Sequence, residues 1–443
     1  MATTFDAFLT AFDPSDLPGG SVDPLGFDRA YTFLADGLLP GLTNVASAPR
    51  YFSVLCAGVS LAQVDTGTPP RALQRTRREA VLRLERLWAL ANVLAGKDAA
   101  AGGRSGIRGI TYAREEAARL VRSGATAATP KFKLLSRQEP YGVLGIYGTV
   151  AEGMRLIDRA AYHLTPDSGE RLAEAFRRET ELPRKIERAV REQTEVDLAS
   201  LAAWGARAAV EARPGPGEAS CLRDALLRDP TRARTSMLLS ANPPRDGEDE
   251  LTRLHRIARK IGTQSDDRDL GEVILAILPF EACFRLATLA LQRLLWLCRN
   301  QQGGYVAEES LSRDAVLQSV AEGLASNVPA LVAALDEARS RHLARHRERM
   351  NDIRAFLEQT SAAGADLPAL AAAVQRRHQE VQHAKFDQGR RKMPWLERNR
   401  NGFALTSARV GGIDFEATTL EHVPAHAYRT LAADAMILAG GVR

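Results

Sequence analysis

Cysteine is scarce in this sequence, and none of it sits in a pairing motif. Cys56, Cys221, Cys283 and Cys298 are far apart in apolar surroundings, and no CxxC occurs. That excludes a zinc ribbon and a CxxC redox centre. It predicts buried, reduced thiols and a cytoplasmic location. Long uninterrupted apolar runs are also missing. Of the two richest stretches, around 273–280 and 286–297, the first is closed off by Glu272 and Glu281 and the second is interrupted by Arg293. A membrane span needs about 20 apolar residues, so no membrane partner is expected. The opening MATTFDAFLTAFDP carries acids and no basic segment, which is unlike a signal peptide. There is no period of repetition and no low-complexity tract.

Several catalytic signatures are absent too. GGRSGIRG and GVLGIYG contain glycines but lack the lysine and Ser/Thr of a P-loop, and neither follows a strand as a dinucleotide fingerprint must. No GxSxG, HExxH or EF-hand loop occurs. His342 and His346 stand at a ligand spacing on a helix, but arginines surround them. His422 and His426 have Pro424 between them, and His378 and His383 are five apart. No metal and no cofactor is expected.

What the chain has in quantity is Ala, Leu, Arg and Glu. These side chains lose little freedom in a helix, so the expected fold is all-α with minor β content. At 443 residues it should hold more than one domain. Turn-rich stretches at 211–218 and 240–250 predict two helical lobes, 1–212 and 251–443, joined through 213–250. Helices are expected over about 27–39, 49–64, 71–96, 271–300 and 331–359, the last as one long charged helix. Small β content is expected near 161–165 and 402–415, before a final helix near 425–438.

The net charge is +5 and the pI about 9.1. That permits a nucleic-acid partner without requiring one. Clusters matter more than the sum. RTRREAVLRLER and RSRHLARHRER interleave acids with bases, so salt bridges within a solvated helix face account for most of their charge. KFDQGRRKMPWLERNRNG differs. Lys385, Arg390, Arg391 and Lys392 surround a glycine in an expected loop, with Trp395 and Arg398 just beyond. Basic groups beside an aromatic ring can grip a phosphate backbone and stack on a base. The competing expectation is that Trp395 anchors the core and the charges are merely solvated.

Three resemblances bear on function. The stretch LLPGLTNVASAPRYFSVLCAGVSLAQVDTG resembles the hairpin and catalytic-aspartate region of helix-hairpin-helix DNA glycosylases, which would make Asp65 the candidate catalytic residue of a base-excising hydrolase. The chain departs from that pattern. Thr43 stands at the second glycine, no lysine follows, Pro49 interrupts the next helix, and fewer than 40 residues precede the hairpin. The alternative is a Pro-Gly turn that delivers a buried helix starting at Arg50 and Tyr51. LTPDSGERLAEAF, within 136–180, resembles the strand, turn and closing helix of a winged-helix domain; the alternative is a plain helix-turn-helix packing unit.

Third, DPLG, RREAVLRLERLWAL, SGIRGITYAR, YGVLGIYG and KMPWLE, in order, look like a broad family of uncharacterised helical bacterial proteins associated with defence or mobile-element gene neighbourhoods. That resemblance implies no catalytic residue. Together the readings predict a DNA-binding or DNA-sensing component of a bacterial multi-gene system, with anti-phage defence as its setting. It would be non-catalytic by itself. A helical scaffold that docks a partner protein from the same operon through the apolar stretch 271–300 is the further alternative.

Overall fold

The computed structural model describes residues 23–62, 68–97, 106–261, 267–338, 340–345, 348–387, 390–406 and 419–440. The fold is mostly α, with a few short strands. The chain forms two compact units, and each is discontinuous. One combines the described residues up to Leu38 with Pro244–Ala427, and the other combines Leu39–Pro243 with the described residues from Tyr428 onward. The change of unit at 243/244 lies inside the expected joint. However, the joint is built of packed structure: helices Pro216–Leu227 and Pro230–Ala241 belong to the second unit and carry the final helix Thr430–Gly440.

The first unit is organised on one helix, Arg268–Arg299, with Ala315–Asp336 along its side. By length and composition this helix could cross a membrane, yet 67% of its most apolar window is buried within the protein. Helices Asp28–Leu38, Glu250–Ile261 and Leu367–His383 also pack on it. Pro279 lies inside it and has no N–H to give the Leu275 carbonyl. Phe27 ties the first helix to this core, with its ring 5.2 Å from Phe284, 5.7 Å from Phe280 and 6.2 Å from Phe356.

The expected single helix 331–359 is corrected. The chain leaves the helix after Asp336 and resumes as Arg341–Arg345 and Glu348–Ala362. Long-range bonds take over where the helix stops. The Ser340 N–H donates to Glu272 at 2.6 Å, and His342 bonds the Phe33 carbonyl at 2.8 Å while stacking on the Phe33 ring.

The second unit is built around Pro70–Leu94, an amphipathic helix whose buried face includes Leu84, Leu87, Trp88 and Ala91. Arg50–Ser60, Val143–Gly153 and Leu198–Arg207 pack on it. Gly205 allows the closest of these approaches, since a Cβ there would come within 2.0 Å of the Ala91 carbonyl. The expected buried helix is Arg50–Ser60, in which every residue from Arg50 to Val59 is buried.

In the 136–180 segment, Val143–Gly153 leads into a short antiparallel pair, Ile157–Asp158 with His163–Leu164. A wide turn, Pro166–Glu170, is capped by the Thr165 hydroxyl accepting from the Gly169 N–H, and Arg171–Glu179 follows. The late strand Gly402–Leu405 pairs with Leu396–Asn399 and Tyr305–Ala307; the rest of that expected β segment, 407–415, lies outside the described residues.

Candidate functional site

The basic segment of the first unit begins where Leu367–His383 ends. Three side chains from the end of this helix and just after it hold three consecutive carbonyls near the start of the described chain. Arg377 Nε donates to Leu25 O at 2.9 Å, His378 Nδ1 donates to Pro24 O at 3.1 Å, and Lys385 Nζ donates to Asp23 O. Arg377 also binds both oxygens of Asp352, at 3.0 and 2.7 Å. Lys385 is thus half-buried and engaged, and burial lowers its pKa.

Beyond Lys385 the chain forms a hairpin, not a loop. Phe386 pairs with Arg391 and Asp387 with Arg390 in an antiparallel ladder, and the Lys392 N–H closes its mouth onto Lys385 O at 3.0 Å. Directly opposed residues share one face of a ladder, so Phe386 and Arg391 stand side by side. Phe386 is 65% exposed, Arg391 is exposed, and nearby Met393 is 56% exposed. Lys392 is half-buried and Arg400 is exposed. None of Arg391, Lys392 and Arg400 makes an ion pair among the described residues. Arg390 is placed on the hairpin by its backbone pairing alone.

Trp395 is neither free nor fully buried. Its N–H donates to His378 Nε2 at 2.9 Å, and its ring lies 4.9 Å from the His378 ring. The backbone donor at Nε2 and the carbonyl at Nδ1 together require the neutral imidazole with its proton on Nδ1. Burial acts the same way, pushing the His378 pKa down to about 4. Arg398 is taken up by Glu308 at 2.8 Å. The six basic and aromatic residues singled out in the sequence therefore divide. Lys385, Trp395 and Arg398 hold the hairpin in place, Arg391 and Lys392 present charge on it, and Arg390 is placed only by its backbone pairing. Sequence reasoning weighed His378 only as a metal ligand and missed that it joins the two groups, and it missed Phe386. The local signal for the ladder was Gly389 between two short stretches that carry Phe386 and the Arg390-Arg391 pair.

Asp65 lies outside the described residues. The helix before it is fixed by a buried ion pair. Arg50 Nη1 meets Glu218 at 2.7 Å, Arg50 Nη2 donates to Ala212 O at 2.9 Å, and Ser53 Oγ donates to Glu218 at 2.6 Å. Tyr51 stacks on Tyr147 at 4.5 Å, and its hydroxyl accepts the Arg108 N–H at 2.7 Å. Nearby, the buried Glu85 accepts from Gln138 Nε2 at 2.7 Å and from the Val143 N–H at 2.8 Å, capping the helix Val143–Gly153. Burial raises the Glu85 carboxyl to about 7, partly offset by those hydrogen bonds.

One further acid–base pair is buried in the first unit. His426 Nδ1 lies 3.1 Å from Glu281, and its ring stacks on Tyr31 at 4.4 Å. Asp28, close by, is raised to about 6 by burial and by Asp23. Among the described residues, no three His, Cys, Asp or Glu side chains converge as metal ligands would. The apolar stretch 271–300 that a scaffold would offer to a partner is largely used inside the unit: Val273, Ile277, Phe280, Leu291 and Leu294 are all buried. No protein-family model, no curated relative and no solved structure matches the chain.

Proposed function

We propose that the protein is a DNA-binding or DNA-sensing component, without chemistry of its own, that grips the sugar–phosphate backbone through the hairpin and loop at 385–400. The observation that supports this reading is the pairing of Phe386 with Arg391 on an exposed ladder, with Lys392 and Arg400 close in sequence and no carboxylate engaging any of these cations among the described residues. A guanidinium fork suits phosphate oxygens. An exposed ring beside it gives a face on which a base or sugar can stack. The anchoring of the hairpin by Lys385, Trp395 and Arg398 lowers the entropy cost of presenting those groups. We read this binding as part of a bacterial multi-gene system directed against phage, which is what the resemblance stated from the sequence implies.

The test is fluorescence anisotropy of a short labelled duplex with the full-length protein at low salt. Wild type should bind. The charge-reversed variant Arg390→Glu/Arg391→Glu/Lys392→Glu should lose most of that binding while its melting curve stays that of wild type. Equal binding by the two proteins would refute the reading.

A further inference from the structure

The arginine-rich start of Pro70–Leu94 is explained only in part by salt bridges within the helix. Arg83 pairs with Glu79, but the four arginines before it do something else. The tip of the hairpin Ile157–Leu164 lies against this helix. Gln74 Nε2 donates to Ala160 O at 2.9 Å, and Arg77 Nη1 donates to Ala161 O at 3.1 Å. The Arg78 guanidinium sits 5.7 Å above the Tyr162 ring and also pairs with Glu139. Asp158 closes the hairpin turn by accepting the Ala160 N–H at 2.9 Å, and Arg159 donates to the Thr149 hydroxyl at 2.9 Å. The hairpin tip and the first turns of the helix are therefore locked together.

Arg71 and Arg75 stand on the same helix face as Gln74 and Arg78, by the three- and four-residue spacing of a helix. They are about 6 Å apart along the axis at 1.5 Å per residue. Both are exposed, and neither makes a hydrogen bond or an ion pair among the described residues. Arg77 and Arg159 have neutral oxygens as partners and no carboxylate. Among the described residues, three acids of these elements are engaged elsewhere: Glu79 with Arg83, Glu139 with Arg78, and Asp158 with its own turn.

We infer that Arg71, Arg75, Arg77 and Arg159 form a second phosphate-backbone contact for duplex DNA, carried by the second unit and distinct from the hairpin at 386–391. The inference rests on the DNA-binding reading above. Two features favour a nucleic acid over a lipid surface. The guanidinium groups at 77 and 159 are held in fixed orientations, which suits directional bonding to phosphate oxygens. The exposed side chains at the hairpin tip, Ala160 and Ala161, are small, so there is no large apolar group to insert into a bilayer.

The experiment measures duplex affinity of the full-length protein across a salt series. It compares wild type, Arg71→Ala/Arg75→Ala and Arg391→Ala/Lys392→Ala. Each lost phosphate contact should reduce the log–log salt slope by about 0.9, so each double variant should show a slope shallower by about 2. Arg71 and Arg75 bond to nothing described, so their removal should leave melting unchanged; Arg159→Ala gives an independent single-contact check. A slope unchanged in Arg71→Ala/Arg75→Ala but reduced in Arg391→Ala/Lys392→Ala overturns this inference and leaves the hairpin reading standing. The reverse pattern supports it and removes the hairpin. Absence of duplex binding by wild type overturns both. Binding to phosphatidylserine vesicles without duplex binding, lost in Arg71→Ala/Arg75→Ala, overturns it in favour of a membrane surface.

Discussion

His378 accepts the backbone N–H of Trp395 through Nε2 at 2.9 Å while Nδ1 donates to Pro24 O. One neutral imidazole thus joins the end of a helix, the start of the described chain and the exit of the basic hairpin. His378→Ala should leave the core intact and loosen the hairpin exit. Hydrogen exchange over 394–399 should speed up in this variant, with little change over 273–294. Protection unchanged at 394–399 would show that the imidazole does not hold the segment.

The same residue sets a pH dependence. Its folded pKa of about 4 lies below the ordinary value of 6.5. A base depressed in this way contributes stability above pH 6.5 that is lost as pH falls through about 4. A proton on Nε2 also displaces the Trp395 N–H. Exchange over 394–399 should therefore accelerate on acidification below about pH 4, and His378→Gln should remove that step.

Glu85 has the opposite sign. Its carboxyl is raised from 4.5 to about 7 by full burial. Stability from the protonated form is present below pH 4.5 and is lost as pH rises through about 7. The shift corresponds to roughly 3 kcal/mol, to order of magnitude. Glu85→Gln mimics the neutral acid, so its melting temperature should gain on wild type as pH goes from 5 to 8. Parallel melting curves across that range would contradict a protonated Glu85.

The Arg50–Glu218 pair predicts an asymmetry. Burial opposes both charges, pushing Glu218 up and Arg50 down, and each is the other's largest counterweight. Removing one partner of a buried pair costs about 3–5 kcal/mol. A stranded carboxyl can take a proton, whereas a guanidinium cannot release one. Arg50→Met should therefore be milder than Glu218→Met, and its cost should shrink at acid pH. Thermal melts of both variants at two pH values decide this.

Much of the helical framework was legible because it depends on local pattern. The apolar stripe of Leu84, Leu87, Trp88 and Ala91 gave the helix Pro70–Leu94, and the run after Pro49, uncharged apart from Arg50, gave the buried helix Arg50–Ser60. Partner choice was not legible. Nothing local in Asp28–Leu38 says that Phe27 packs against Phe280, Phe284 and Phe356, so the discontinuous units could not be read from composition shifts. The break after Asp336 was hidden for the same reason: Glu272 and Phe33, which capture Ser340 and His342, are far away in sequence. At the basic segment, residue types pointed to the cluster. Only the ladder register showed that Phe386 shares a face with Arg391, and only His378 explained why Trp395 is half-buried.

The central claim is that the hairpin at 386–391 contacts a phosphate backbone, and the salt dependence of duplex binding tests it most directly. The account predicts non-specific affinity of about 10⁻⁴ to 10⁻⁶ M near physiological salt, falling linearly on a log–log plot, with the slope shallower by about 2 in Arg391→Ala/Lys392→Ala. A wild-type affinity that does not change with salt, or a slope the variant leaves untouched, would contradict it.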